Sequence, residues 1–379
     1  MYVYQRSKRY FAQIAGGLED LAVMELIELG AEHVTPGFRG AFFQADKRVL
    51  CRVNYTSRLI SRVLAPLKTF QCHTPEDIYQ RGKSIKWTDF FHHENTFAVF
   101  ANVANSTIRH SKYAALRLKD AVVDAFRDQC GRRPNIDTTN PDVWLNIYIE
   151  NNRATISLDT SGGPLHRRGY RKKTVEAPMR ESLAAVIIKL SEWDGATPIH
   201  DPMCGSGTLV CEALMKYCRI PSGILRKKFG FEFMPDFEPG IWKEEKRRAD
   251  GFIRELPSHL VYGSDVSEEA VSASKTNVRC LKGGQKVNIK RAGFEALANL
   301  ENAIIVCNPP YGIRLKQEED LGFFYKSFGD FLKKRCKEST AYIYFGNREM
   351  IKKIGLRPSW KKPLKNGALD GRLVKYELY

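Results

Sequence analysis

The sequence predicts an α/β protein in two parts. A smaller α+β module comes first, and a doubly wound parallel sheet with an antiparallel edge strand follows. Three observations carry this expectation. From Pro178 onward, short β-branched runs alternate with longer helical patterns, which is how the crossover units of a parallel sheet read. A glycine-containing turn, Asp201-Pro202-Met203-Cys204-Gly205-Ser206-Gly207, joins one such run to a helical pattern. Asn308-Pro309-Pro310-Tyr311 closes another run, Ala303-Ile304-Ile305-Val306-Cys307. With 379 residues the chain is long enough for two or three domains with substantial cores.

In the first part, residues 10–18 read as a strand and turn, and 19–29 as a helix stopped by Gly30. A strand near 41–44 and a helix near 47–53 complete a first unit, 1–55. A second, 56–159, carries strands over 96–103, 143–149 and 154–158, and a helix over 111–129. Composition and pattern make this region a mixed α/β candidate for binding RNA.

In the second part, 160–379, a helix over 178–193 places Pro178 at its favoured first position and ends at Asp194-Gly195. Strands then fall at 197–200, 260–264, 287–291, 303–307 and 341–345, separated by helices at 209–217, 268–281 and 320–334. Asn366-Gly367 and Asp370-Gly371 read as turns into an antiparallel edge strand, 373–378. The chain has neither an internal repeat nor a low-complexity tract.

The chemistry concentrates at strand ends, where open α/β sheets bind ligands. Two prolines after Asn308 stop the ladder and stiffen the chain. The Asn308 side-chain oxygen and the Pro309 carbonyl can each accept one N–H of an exocyclic amine, and Tyr311 can stack on the flipped base. The same residues also suit a proline-terminated strand entering a loop. At the glycine turn, Gly205 and Gly207 let backbone N–H groups approach a ligand at a helix N-terminus. No Lys-Ser or Lys-Thr follows, so the turn is not a phosphate loop, and the third glycine of a dinucleotide fingerprint is missing. A ligand with a carboxylate and an adenosine but no phosphate fits better, which describes S-adenosylmethionine. Asp265, ending the run Leu260-Val261-Tyr262-Gly263-Ser264, can accept both ribose hydroxyls. Asp265 or Ser267 also suits the N-cap of the following helix. The usual spacing from glycine turn to acid is about 20 residues. Asp265 lies far beyond it, so 218–259 reads as an insertion.

These residues resemble class I S-adenosylmethionine-dependent methyltransferases that modify exocyclic amines. More closely, they resemble bacterial THUMP-domain ribosomal RNA guanine-N2 methyltransferases. The segment Leu158-Asp159-Thr160-Ser161-Gly162-Gly163-Pro164-Leu165-His166-Arg167-Arg168-Gly169-Tyr170-Arg171 is similar to that family's joint between RNA-binding and catalytic parts. Ala177-Pro178-Met179-Arg180-Glu181-Ser182-Leu183-Ala184-Ala185 looks like the helix beneath the cofactor, and the stretch from Ile220 to Glu232 like its aromatic insertion. The resemblance implies a Rossmann-like methyltransferase domain over 160–379, a ferredoxin-like leader over 1–55 and a THUMP module over 56–159. It implies catalysis by Asn308, Pro309 and Tyr311. It implies cofactor binding by Asp201, Met203, Cys204, Gly205, Gly207, Asp265, Val266 and Asn308. In one place the chain departs from the pattern: Gly293 stands where the family often carries an aspartate for the cofactor's adenine amine. The adenine would then rest on backbone groups near Gly293 and Phe294.

Sixty Lys plus Arg against 43 Asp plus Glu give a net charge of +17, and a pI near 9.4, pointing to a polyanionic partner. RNA contacts are expected from Arg167, Arg168, Arg171, Lys172 and Lys173 at the joint. A second basic cluster, Lys352, Lys353, Arg357, Lys361, Lys362 and Lys365, adds Lys361 and Lys362 in particular. No run resembles a signal peptide or a membrane span, so no membrane partner is expected. Nine cysteines without C-x-x-C spacing argue against zinc and disulfides, and for a reducing cytoplasm without a metal. Cys204, Cys211 and Cys218 recur every seven residues, as on one helical face. Phe229, Phe231, Phe233 and Trp242 suit either the insertion's own core or a cover over the base pocket. Two rival functions remain: methylation of adenine N6 in DNA or RNA, and RNA binding without catalysis, which the glycine at 293 would permit.

Overall fold

The structure is a computed structural model that describes residues 1–175, 178–310, 318–367 and 369–379. It divides into two compact units, one comprising 1–165 with 226–249, the other 166–225 with 250–379.

The first unit holds α1 (Val3–Ser7), β1 (Arg9–Gln13), α2 (Glu19–Glu28), β2 (Glu32–Gly37), β3 (Gly40–Gln44), α3 (Lys47–Thr56), β4 (Arg62–Gln71), α4 (Pro75–Lys83), β5 (Thr96–Ala104), α5 (Ser111–Cys130), β6 (Asn135–Ile136), β7 (Val143–Glu150) and β8 (Arg153–Asp159). Its strands form a single sheet in the order β2-β3-β1-β4-β8-β7-β5-β6. Thus the two modules read from sequence share one sheet, joined where β4 pairs with β1 on one side and β8 on the other. Alternation buries Tyr10, Ala12, Ala41, Phe43, Val63, Leu145, Ile147 and Ile156 on one face. Onto that side α2 packs against β2 and β3, and α5 against β5 and β7.

The second unit begins with α6 (Glu181–Leu190), β9 (Ile199–Asp201) and α7 (Thr208–Cys218). Beyond the inserted segment and its α8 (Pro239–Gly251) come β10 (Val261–Asp265), α9 (Glu268–Val278), β11 (Asn288–Arg291), β12 (Ile304–Cys307), α10 (Glu318–Arg335), β13 (Ser339–Phe345), α11 (Met350–Lys353), β14 (Trp360–Asn366) and β15 (Leu369–Leu378). The sheet order is β11-β10-β9-β12-β13-β15-β14. The first five strands are parallel, and β15 pairs antiparallel with both β13 and β14. Chain order reverses between β9 and β12, and that switch point is where an open sheet leaves its crevice. A core of Ile305, Cys307, Phe328, Ile343, Phe345 and Tyr376 fixes β12 and β13 against α10.

Three details differ from the sequence reading. The edge strand is β14, while β15 is internal and Asp370-Gly371 lies within it rather than in a turn. Helix α6 begins at Glu181 rather than Pro178, because Arg171 holds the Met179 carbonyl (2.9 Å) and the Glu181 carboxylate (3.0 Å) at its start. Segment 226–249, expected within 160–379, clusters with the first unit. There the Trp242 ring meets Tyr55 of α3 edge-on at 5.1 Å, and stacks T-shaped with Phe229 at 5.5 Å and Phe231 at 5.2 Å. The Phe231 N–H donates to the Thr160 carbonyl at 2.7 Å. Phe229, Phe231 and Trp242 therefore pack on one another as the insertion's own cluster, and through Tyr55 that cluster joins the first unit's core. The exception is Phe233, which carries Lys228 over its ring at 4.1 Å.

Candidate active site

The glycine turn after β9 is built from internal hydrogen bonds. Cys204 N–H donates to Ser264 (2.8 Å) and Gly207 N–H to Cys204 (2.7 Å). Gly205 N–H donates to Asp265 Oδ2 (2.9 Å). The expectation that the glycine amides face the ligand is corrected accordingly, since the turn consumes them. Gly205 has φ +53° and lines the cavity. Gly207, at φ +81°, does not line it. A β-carbon there would stand 2.3 Å from Ser274 Oγ, so this glycine seats α7 against α9. Asp265 Oδ1 meanwhile accepts the Ser267 N–H (3.0 Å) and Ser267 caps α9. Each Asp265 oxygen keeps lone-pair capacity for a ribose hydroxyl.

These tips open onto one cavity of about 340 Å³ in the second unit, where Asp201, Met203, Cys204, Gly205, Asp265, Val266, Asn308 and Pro309 all appear among its lining residues. A wider hollow of about 560 Å³ lies by α4, α5 and β6 of the first unit. Two of its three arginines are tied to acids, Arg117 to Glu76 and Arg127 to Asp124. In the smaller cavity, Asn308 Oδ1 is buried and has no hydrogen-bond partner among the described residues. Such an oxygen costs free energy unless a ligand donates to it. The Tyr325 hydroxyl donates to the Pro310 carbonyl (3.2 Å), fastening the loop to α10. Tyr311 lies outside the described residues.

Asp201, 3% exposed, ends β9 and accepts the Met203 N–H at 3.2 Å. Burial pushes its carboxyl from 3.8 up to about 8, opposed by that hydrogen bond and reinforced by Asp265. Between those values the folded chain holds a proton that the unfolded chain has released, so stability falls as pH rises through this window. Asp201→Asn should therefore gain melting temperature over the parent progressively from pH 5 to pH 8, and a constant difference would contradict the assignment. Beside the cavity, Cys204 and Cys307 are kept protonated by burial first and by Asp201 and Asp265 next, which leaves no thiolate nucleophile there. Cys204 sits in the turn, whereas Cys211 and Cys218 are in α7, so the seven-residue spacing is not one helical face.

Glu295 and Phe324 were not singled out in the sequence, and both line the cavity. Glu295 Oε2 comes within 3.0 Å of where a β-carbon on Gly293 would stand, bringing an acid to the place the glycine leaves bare. Phe294 packs T-shaped on Phe324 at 5.6 Å, and Val266, 67% exposed, is an apolar group at the rim. A buried carboxyl, a rim carboxylate, an apolar wall and an amide oxygen without a partner among the described residues together fit S-adenosylmethionine.

The basic residues of the joint separate in two. Arg168 is 1% exposed and donates to Glu212 Oε1 at 3.3 Å, and Arg171 also bonds Ser206 and Thr208 at 3.1 Å. Both are internal struts, which corrects their assignment to RNA: an arginine spent on buried acceptors has no donors left for phosphate. Arg167, Lys172 and Lys173 are exposed, with the backbone of the two lysines held by Asn277. Lys361 and Lys362 are exposed on β14.

Residues 168–375 match the family described as RMKL-like, methyltransferase domain. The chain belongs to that family. Ahead of this RMKL-like domain, residues 72–159 match the THUMP domain and 9–64 the RlmL ferredoxin-like domain. A relative from Synechocystis sp., named as a candidate RNA methyltransferase, is 39% identical over 377 residues, covering 98% of this chain and 97% of that protein. The ribosomal RNA large subunit methyltransferase K/L of Syntrophotalea carbinolica is 37% identical over 383 residues, covering 98% of this chain and 53% of that protein. The chain thus spans about half the length of the K/L relatives. A candidate methyltransferase, SMU.472, solved with S-adenosylhomocysteine, has TM-score 0.84 and 25% identity over 98% of both chains. TrmN from Thermus thermophilus shares the fold, with TM-score 0.69 and 16% identity over 98% of this chain. The match marks residues 168–375 as a methyltransferase domain. Among the described residues no helix is long and apolar enough to cross a membrane.

Proposed function

We propose that this chain methylates an exocyclic amine of an RNA base, guanine N2 of large-subunit ribosomal RNA. The observation that carries the reading is the buried Asn308 Oδ1, without a partner among the described residues, beside Pro309 at the tip of β12. The THUMP match and the names of the K/L relatives support RNA as the acceptor. S-adenosylmethionine supplies an electrophilic methyl group on a sulfonium.

The residues of the chain supply position and charge. An exocyclic amine is a poor nucleophile because its lone pair is delocalised into the ring. Asn308 Oδ1 accepts one amine N–H and the Pro309 carbonyl the other, favouring a pyramidal nitrogen with its lone pair directed away from both acceptors. That is orientation and preorganised electrostatics. The Asp201 carboxyl and the Asp265 carboxylate face the cofactor's cationic amino acid end and its ribose, respectively. Glu295 takes the adenine amine in place of the residue missing at 293. Glu295→Ala should weaken S-adenosylhomocysteine binding by roughly ten- to a hundredfold by calorimetry, as expected for one hydrogen bond to a charged acceptor. It should have little effect on an analogue whose adenine N6 carries two methyl groups. Equal losses for both ligands would contradict this role.

The test of the function is transfer of labelled methyl from the cofactor to unmodified ribosomal RNA and, in parallel, to DNA. Label in RNA is expected. Label confined to DNA, or none in either, would overturn the reading.

A further inference from the structure

On the sheet of the first unit, the face opposite the core is closed over β4, β7 and β8, where Leu64, Asn146 and Asp159 are buried, and open over β1 and β3. On β1 and β3 the opposite face carries Arg9, Phe11 and Gln13, and Phe42 and Gln44, in alternation with the buried Tyr10, Ala12, Ala41 and Phe43. Phe11 and Phe42 are direct cross-strand partners. Their ring centroids lie 4.8 Å apart, tilted by 55°, and Phe42 is 38% exposed. Two glycines on the same face make room for them. A β-carbon on Gly40 would stand 2.4 Å from Phe11 Cζ, and one on Gly37 2.9 Å from Phe42 Cε2. The rings therefore lie down over the backbone instead of standing off it.

The surroundings are cationic and polar. Arg9 lies over the Phe42 ring, 4.6 Å from its centroid. The β2–β3 turn projects Phe38, 68% exposed, next to the exposed Arg39. The nearby acid Glu19 is committed to the N–H groups of Gly17 and Arg39, while Glu32 stands at the outer edge on β2. On the same face of β4, Arg62 is tied to the buried Asp159 and lies over Phe100 at 4.2 Å and Trp144 at 4.9 Å, so the cations that face phosphate are Arg9 and Arg39.

We propose that this face is a stacking platform for unpaired nucleotides of the RNA substrate, separate from the methyl-transfer cavity. The inference rests on RNA being the substrate, as argued above. Aromatic rings on an open sheet can stack bases of any sequence, and flanking arginines meet the phosphates. The arginines beside the rings, on a chain of net charge +17, favour a polyanion as the occupant. RNA fits both the rings and the charge. The platform holds single-stranded RNA of the substrate and lowers KM without touching the reacting atoms.

The test uses the full chain, a short fluorescein-labelled single-stranded RNA, and an abasic strand of the same length and charge. The wild type should bind the base-bearing strand about tenfold or more tighter than the abasic strand. Phe42→Ala should erase most of that difference while leaving abasic binding unchanged, and Phe42→Trp should retain it. In methyl transfer to ribosomal RNA, Phe42→Ala should raise KM with kcat unaltered. Equal binding of both strands by the wild type would overturn the inference. So would equal losses on both strands in Phe42→Ala, which would mark the rings as structural. Dimerisation in light scattering that Phe42→Ala abolishes would overturn it too, assigning the face to a second copy. An unchanged KM beside normal wild-type transfer would remove the platform alone, whereas no transfer to any RNA by the wild type would remove the functional reading on which it rests.

Discussion

Asn308→Ala is expected to lower the rate of methyl transfer by roughly 10²-fold or more at saturating RNA and cofactor, the loss typical of one preorganised polar contact to a reacting group. The side-chain oxygen is buried, and the described residues offer it no donor. Leaving such an acceptor unpaired is unfavourable in the empty site, so the amine that pairs with it binds a group already in place. The substitution removes an acceptor whose contact matters most when the amine nitrogen turns pyramidal. The effect should fall on kcat, with calorimetric affinity for S-adenosylhomocysteine changed much less. Asn308→Asp separates charge from geometry, because it keeps an oxygen acceptor on the same backbone. Near-normal turnover of Asn308→Ala would remove the residue from the mechanism.

Glu212→Ala is expected to destabilise the protein by about 3–5 kcal/mol, the usual cost of breaking a buried ion pair by deleting one partner. Glu212 is fully buried, Arg168 is 1% exposed, and the Tyr170 hydroxyl also donates to Glu212 Oε1 at 3.2 Å. Deleting the carboxylate strands a guanidinium in the interior. Glu212→Gln, which keeps the acceptor oxygen, should lose less. Urea unfolding followed by fluorescence reads the effect, and unchanged midpoints in both variants would contradict it. Arg168→Ala should likewise act on stability, and the folded fraction should keep its RNA affinity.

Arg168 shows why the sequence could not be read through everywhere. Residues 167–173 present five cations, and nothing local distinguishes the one whose partner lies on α7, forty-four positions away. The parallel strands were legible, because β12 and β13 are largely apolar runs buried on both faces, and β9 and β10 are short segments followed directly by turn residues. Strand β2 was not, since it is an exposed edge containing Pro36. Strand β4 was hidden by Pro66 and by the register shift beside it. Asp265 and Asn308 could be found because each follows such a run directly. Glu295 could not: its claim depends on where its carboxylate comes relative to Gly293, a matter of folded geometry. The aromatic insertion was seen as a cluster, but its docking on Tyr55 is a long-range contact without a local pattern.

The proposed chemistry turns on what Asn308 Oδ1, without a partner among the described residues, holds. Nucleoside analysis of unmodified ribosomal RNA after incubation with the protein and methyl-labelled cofactor measures that directly. The account predicts label in N2-methylguanosine, lost in Asn308→Ala. Label in N6-methyladenosine, on a ring carbon or on a ribose would contradict it.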